Sequence, residues 1–230
     1  RRPFAHSAVR RARTGGHPAG PMPVQLRFDT GLAGAEYVTR EVWRLATLPQ
    51  CPLHPRGGCG FARHGCYERK TPPGTLVARW YCPLGHCTFS LLPDHLAAQF
   101  PGTLEQLEQV VAAAEAAPSV HGCADALRVD EVELPGALRW LRRRLDAVRA
   151  LLPMVFTLLG LPLQGGAVTL SALRRHLRVD CALECLRQML SKVLDALASP
   201  LGFRRRARAG ADRPRTFQQP MGPDPPAAAS

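Results

Sequence analysis

A mostly α-helical chain with one small β-ribbon closed by a metal ion is the fold class this sequence predicts, on three observations. Cys51 to Pro93, CPLHPRGGCGFARHGCYERKTPPGTLVARWYCPLGHCTFSLLP, holds five of the eight cysteines and three histidines in 43 residues. Two Pro- and Gly-rich turns in it, CPLHPRGGCG and CPLGHC, flank alternating strand-like sequence. From Thr103 onward apolar residues recur at helical spacing. The whole reads as a zinc ribbon over 51–100, followed by a helix-turn-helix-like bundle.

The ribbon needs its metal because a segment this short buries too little apolar surface to hold itself. Thiolate and imidazole ligands on tight turns make a four-coordinate zinc site. Cys51 has His54 and Cys59 after it, and Cys82 has His86 and Cys87. The predicted ligands are Cys51 and Cys82, with one of His54 or Cys59 and one of His86 or Cys87. The spacing departs from two clean C-x2-C pairs, so the competing reading is a ribbon of buried free thiols. Cys66, between Gly65 and Tyr67, reads as a strand residue.

A disulfide framework fits less well. Cys123, Cys181 and Cys185 sit in apolar helical settings typical of reduced buried thiols, and no signal-like segment precedes the cluster. The expected compartment is the cytoplasm.

The hydrophobic share, 46% over 230 residues, is enough for a core. The net charge of +12 is almost all arginine, with only two lysines among 30 basic residues. Guanidinium forks suit phosphates and guanine edges, so a polyanion is the first partner to consider.

Taken in order, residues 1–21 are a basic, disordered N-terminus. Residues 22–50 supply a strand, Val24–Phe28, and a helix, Ala33–Leu48, with Tyr37, Val38, Val42, Leu45 and Leu48 near one face. In the ribbon, strands at Gly60–Arg69 and Leu76–Cys82 form a hairpin through Thr71-Pro72-Pro73-Gly74. Arg63, His64, Arg69, Lys70 and Arg79, with Trp80 and Tyr81, make a basic face with aromatics that can sit on a phosphate backbone.

Residues 101–150 hold three helices. A capping box at Thr103 to Gln106 opens the first, whose Glu105, Glu108 and Glu115 are expected to face solvent. Ser119 caps the second, with Val120, Cys123, Ala124 and Leu127 inward. The third, ALRWLRRRLDAVRALL, sets Leu138, Leu141, Leu145 and Val148 inward and Arg139, Trp140 and Arg143 outward, flanked by Arg142 and Arg144. This is the layout of a helix-turn-helix, with Arg139, Arg142 and Arg143 on the helix that would enter the major groove.

Residues 151–202 form a C-terminal helical segment. Its apolar run 151–163, broken by Pro153, Gly160 and Pro162, is too short to span a bilayer and reads as a connector or partner-facing patch. Helices follow at Thr169–Arg178 and Asp180–Ser199, the second with a stripe of Leu183, Leu186, Leu190, Val193, Leu194 and Leu197. The stripe offers a homodimer seam, with packing on the preceding helix as the commoner outcome. Residues 203–230 are an Arg/Pro-rich disordered tail.

GFARHGCYERK and VARWYCPLGHCTFSLLPD, followed by a helical segment ending in ALRWLRRRL, resemble the DNA-binding front half of bacterial insertion-sequence transposases and the small zinc-ribbon proteins derived from them. The likeness covers about residues 50 to 145. It implies zinc at the Cys51 and Cys82 knuckles and contact with double-stranded DNA by the ribbon face and third helix. Family members that cut DNA hold two metal ions on three carboxylates. Here only Asp180, Glu184, Asp195, Asp212 and Asp224 follow residue 150, without a strand pattern to converge them. The expectation is a DNA-binding regulator or accessory factor without a catalytic domain. The alternative is a protein-interaction adaptor whose zinc site is structural or lost.

Overall fold

The computed structural model describes residues 24–128, 132–161 and 168–203, so the predicted basic N-terminus, the end of the 151–163 run and the tail lie outside the described residues. The fold is mixed α/β. Among the described residues four strands, β1 (Val24–Phe28), β2 (Ala62–Glu68), β3 (Leu76–Cys82) and β4 (Cys87–Pro93), form one sheet in the order β1-β4-β3-β2. β1 lies parallel to β4, and the other neighbours are antiparallel. β1 through β3 fall close to the predicted strands. β4 lies inside the predicted 51–100 ribbon, where no strand was expected, and every residue of it except the half-buried Thr88 is buried.

The region from Ala33 to Leu48 is not one helix. α1 spans Gly34–Thr39, Glu41 turns to φ 48°, and a single 3-10 turn follows at Val42–Arg44. The break rotates the predicted face: Trp43 and Ala46 are buried with Tyr37 and Val42, while Leu45 is 73% exposed. This element packs on one face of the sheet with Ala78, Trp80, Phe89 and Leu91, and the Tyr37 hydroxyl donates to the Leu76 carbonyl at 2.9 Å.

The other face, through Val77 and Leu92, joins a larger core built by the helices. α2 (Leu104–Ala116) starts with the expected capping box, and Ser119 caps α3 (Val120–Leu127) by accepting from Gly122 N–H. Of the inward set predicted for α3, Cys123 and Ala124 are buried and Leu127 is 40% exposed. α4 (Leu134–Leu158) runs straight through Pro153 and absorbs most of the supposed connector: Leu151, Leu152, Val155 and Phe156 extend its buried stripe. Arg144 is also buried, its guanidinium stacked 3.9 Å above the Trp140 ring.

The last helices are shorter than periodicity suggested. α5 spans Leu170–Leu177 and α6 Ala182–Met189, after which a 3-10 turn and a loop lead to Phe203. The leucine stripe is spent inside this chain, with Leu183, Leu186, Leu194 and Leu197 at most 2% exposed.

Two α2 glutamates overturn the expectation of a solvent face. Glu108, fully buried, accepts from the Ala182 and Leu183 amides at 2.8 and 2.7 Å and from Arg174 Nε. Glu115 accepts from the Leu170 and Ser171 amides at 2.9 and 3.1 Å. Each carboxylate meets orphan N–H groups at a helix start, where the macrodipole favours negative charge. Only Glu105 stays exposed. Arg187, equally buried, donates to the carbonyls of Asp94, Leu96, Pro200 and Leu201 at 2.6 to 3.2 Å and ties α6 to the segment after β4.

Candidate metal centre and basic surface

Two tight turns build the centre. After Cys51, the His54 amide donates to the Cys51 carbonyl and the Gly57 amide to the His54 carbonyl. Gly57 and Gly58 then take φ near +80°, a region that costs glycine little and other residues much, and the loop returns to present Cys59. On the sheet side, Cys82 ends β3 and the Gly85 amide donates to its sulfur at 3.2 Å. A side chain at 85 would sit 2.6 Å from Leu53 Cδ1 and 3.3 Å from Cys82 Sγ, so glycine is what lets the two turns close on each other.

The result is a group of Cys51, His54, Cys59 and Cys82 whose ligand atoms all lie within 4.8 Å of one another. His54 Nδ1 is 3.5 Å from Cys51 Sγ and 3.3 Å from Cys82 Sγ. A tetrahedral zinc site with Zn–S bonds of about 2.3 Å has sulfur–sulfur edges of about 3.8 Å, so side-chain adjustment of about 1 Å brings the four onto one ion. The three sulfurs belong to residues at most 5% exposed. Burial pushes the Cys51 thiol up, but hydrogen bonds from His54, from the Leu53 and His54 amides and from Cys82 outweigh it and bring it down to about 7. Burial holds Cys59 above its ordinary range, and the neighbouring Cys51 and Cys82 add to that. Three thiols and an imidazole this close together can hold a metal ion.

Both residues of the His54/Cys59 pair join the group, and neither of the His86/Cys87 pair does. His86 adopts φ 45° and turns its ring to the Tyr81 hydroxyl at 3.5 Å. Cys87 pairs across the ladder with Cys82 and is buried beside the group without entering it. The Pro- and Gly-containing loop between Cys51 and Cys59 carries the signal for this outcome: it is long enough to return two ligands, whereas the tight Pro83–His86 turn is committed to the hairpin.

The predicted basic face divides. Arg63 donates to the carbonyls of Trp43, Arg44 and Ala46 and lies 5.4 Å over the Trp80 ring. Arg69 donates to Ala97 and Phe100 carbonyls. Both therefore brace the sheet. Arg79 stands over the Tyr67 ring, His64 and Lys70 are exposed, and Trp80 is buried in the sheet core. On α4, Arg139 and Arg142 are exposed, and Arg143 reaches over the Phe100 ring at 5.2 Å. Eleven of the 30 basic side chains fall outside the described residues, five before Val24 and six after Phe203.

Among the described residues no strand follows Pro93, no helix is long and apolar enough to cross a membrane, and no disulfide joins two cysteines. Comparison with protein-family models, curated proteins and solved structures finds no match.

Proposed function

We propose that the chain is a zinc-dependent DNA-binding protein of transposase descent, without DNA-cutting chemistry, that works as a regulator or accessory factor. The observation that carries the reading is the convergence of Cys51, His54, Cys59 and Cys82 at the end of the sheet. Soft thiolates with one imidazole favour zinc over hard cations, and a closed four-ligand set is the structural kind of site, with no open position for chemistry.

The ion's work is to hold the 51–61 loop on β3, so that the sheet keeps its shape beside the basic surface. Arg139 and Arg142 on α4, with the arginines of both chain ends, supply phosphate neutralisation and a fork for base edges. A protein making about six phosphate contacts loses about a thousandfold in affinity between low and physiological salt. The test pairs metal analysis of the purified protein with titration of a duplex at two salt concentrations. One bound zinc and a steep salt dependence support the reading; absence of duplex binding at low salt defeats it.

A second reading, a protein-interaction adaptor, is favoured by one feature. A groove of about 410 Å³ lies between α3 and α4, lined by Ala124, Leu127, Arg128, Val132, Gly136, Ala137 and Trp140, with Leu127, Val132 and Trp140 each about 40% exposed. A stable hetero-complex blocked by Trp140→Asp, in a protein that binds no duplex, would favour this reading.

A further inference from the structure

The sheet face that carries Tyr81 stays open beyond the reach of the helical core. β2 and β3 pair Ala62 with Tyr81 and Arg63 with Trp80, and the register slips before Cys66 meets Ala78. The slip falls at His64 and Gly65, where Gly65 takes φ 78°. A bulge re-aims the side chain it carries. Here it leaves His64 exposed beside the half-buried Tyr81, with ring centroids 5.7 Å apart and planes at 43°. Two residues back along β3, hence on the same face, the Arg79 guanidinium lies 5.4 Å from the Tyr67 ring centroid, and its Nε is buried without a hydrogen-bond partner. Thr88, across the ladder from Tyr81, is small and half-buried. The larger core covers the other end of this face, at Val77, Leu92 and Tyr67, and Ser90 opposite Arg79 is buried, so the open part is the end formed by Tyr81, His64 and Thr88.

We infer that this face is a stacking site for an unpaired base of single-stranded DNA. The inference rests on the DNA-binding reading above and gives the sheet a substrate distinct from that of α4. A duplex hides its base faces, whereas a single strand offers them, and rings on an open sheet beside a cation take a base and its phosphate together. Charge selects the occupant: Arg79 stands at the site and the chain carries +12, with Glu68 at the far end of β2 as the acid nearest in sequence. An acidic peptide would answer the charge and leave the ring faces of Tyr81 and His64 without a partner.

Fluorescence anisotropy on the full, zinc-loaded chain, with a short labelled oligothymidine and a labelled duplex, tests the inference. Tyr81→Ala is expected to weaken oligothymidine binding about tenfold and Tyr81→Phe by less than about twofold, with a several-fold smaller effect on the duplex and zinc stoichiometry unchanged. His64→Ala, on the exposed bulge where the fold has least to lose, is expected to weaken the single strand about threefold. Zinc-loaded His64→Ala and Tyr81→Ala that bind oligothymidine like the parent, or lose single strand and duplex equally, overturn it. If Tyr81→Ala loses its zinc, His64→Ala decides. A parent that binds duplex but not oligothymidine sinks this inference alone; a parent that binds neither sinks the DNA-binding reading as well.

Discussion

Between Cys51 and Gly60 the chain buries two thiols and no aliphatic or aromatic side chain, whereas between Leu141 and Phe156 it buries a stripe of Leu, Val and Phe over about four helical turns. The first region has its glycines at positive φ, its prolines in turns and its ligand atoms in one place. The second has an apolar stripe and, at its margins, buried charges whose hydrogen bonds are all made inside the fold, Glu108 at two helix amides and Arg187 at four carbonyls. Packing of these apolar side chains holds the helical region. The loop at 51–60 has no such reserve, so its order depends on what its sulfurs bind.

Metal removal should separate the two regions most sharply. Structural zinc sites contribute about 10 kcal/mol or more of apparent folding free energy. Chelation or Cys82→Ser is therefore expected to abolish hydrogen-exchange protection at 51–60 and at the Pro83–His86 turn, while far-ultraviolet helical dichroism stays. Protection that survives chelation would mean that the loop holds itself and would erase the contrast.

Next in size is Arg187→Met. Burial pulls the Arg187 guanidinium down to about 10, so it remains charged at neutral pH, and its removal strands four buried carbonyls. A loss of about 4 kcal/mol in urea unfolding is expected, with zinc stoichiometry unchanged. Glu108→Ala should cost about 3 kcal/mol by uncapping α6 and unpairing Arg174, again with the metal retained. Loss of zinc in either variant would show that the regions are not separable.

The smallest effect sits where the regions meet. His95 is 5% exposed, its ring lies 5.4 Å from that of Tyr37, and neither ring nitrogen has a hydrogen-bond partner within the protein. Burial, with Arg187 and Arg69 adding to it, pushes its pKa down to about 4 from an ordinary 6.5. The unfolded chain therefore binds the proton first as pH falls. The stabilising contribution is whole above 6.5, declines through the interval down to 4, and amounts to about 2 kcal/mol lost by pH 5. His95→Leu should flatten that part of the stability curve; an unchanged slope would show that the ring is protonated in the fold.

Much of the secondary structure was legible because its signals are local. The Thr103 capping box, the Ser119 cap and the alternation of Leu76–Cys82 each act within a few residues, and each element starts where they indicate. The misreadings have a common cause in contacts that periodicity does not encode. Glu108 looks like a solvent residue until α6 brings its N-terminus against it, and Leu45 looks inward until Glu41 breaks the helix. Nor does periodicity encode the carbonyls that Arg63 and Arg69 brace, which come from segments 17 to 31 residues away.

The sequence by itself determined that Cys51 and Cys82 lie on tight turns, that helices follow Thr103 and that arginine dominates the charge, since turn chemistry, capping and composition need no knowledge of distant neighbours. Only the tertiary structure decided that His54 and Cys59 both face Cys82, that His86 and Cys87 stay outside the group, and which arginines remain exposed to solvent. Those outcomes depend on strand register and on which loop is long enough to fold back, quantities set by chain closure across tens of residues.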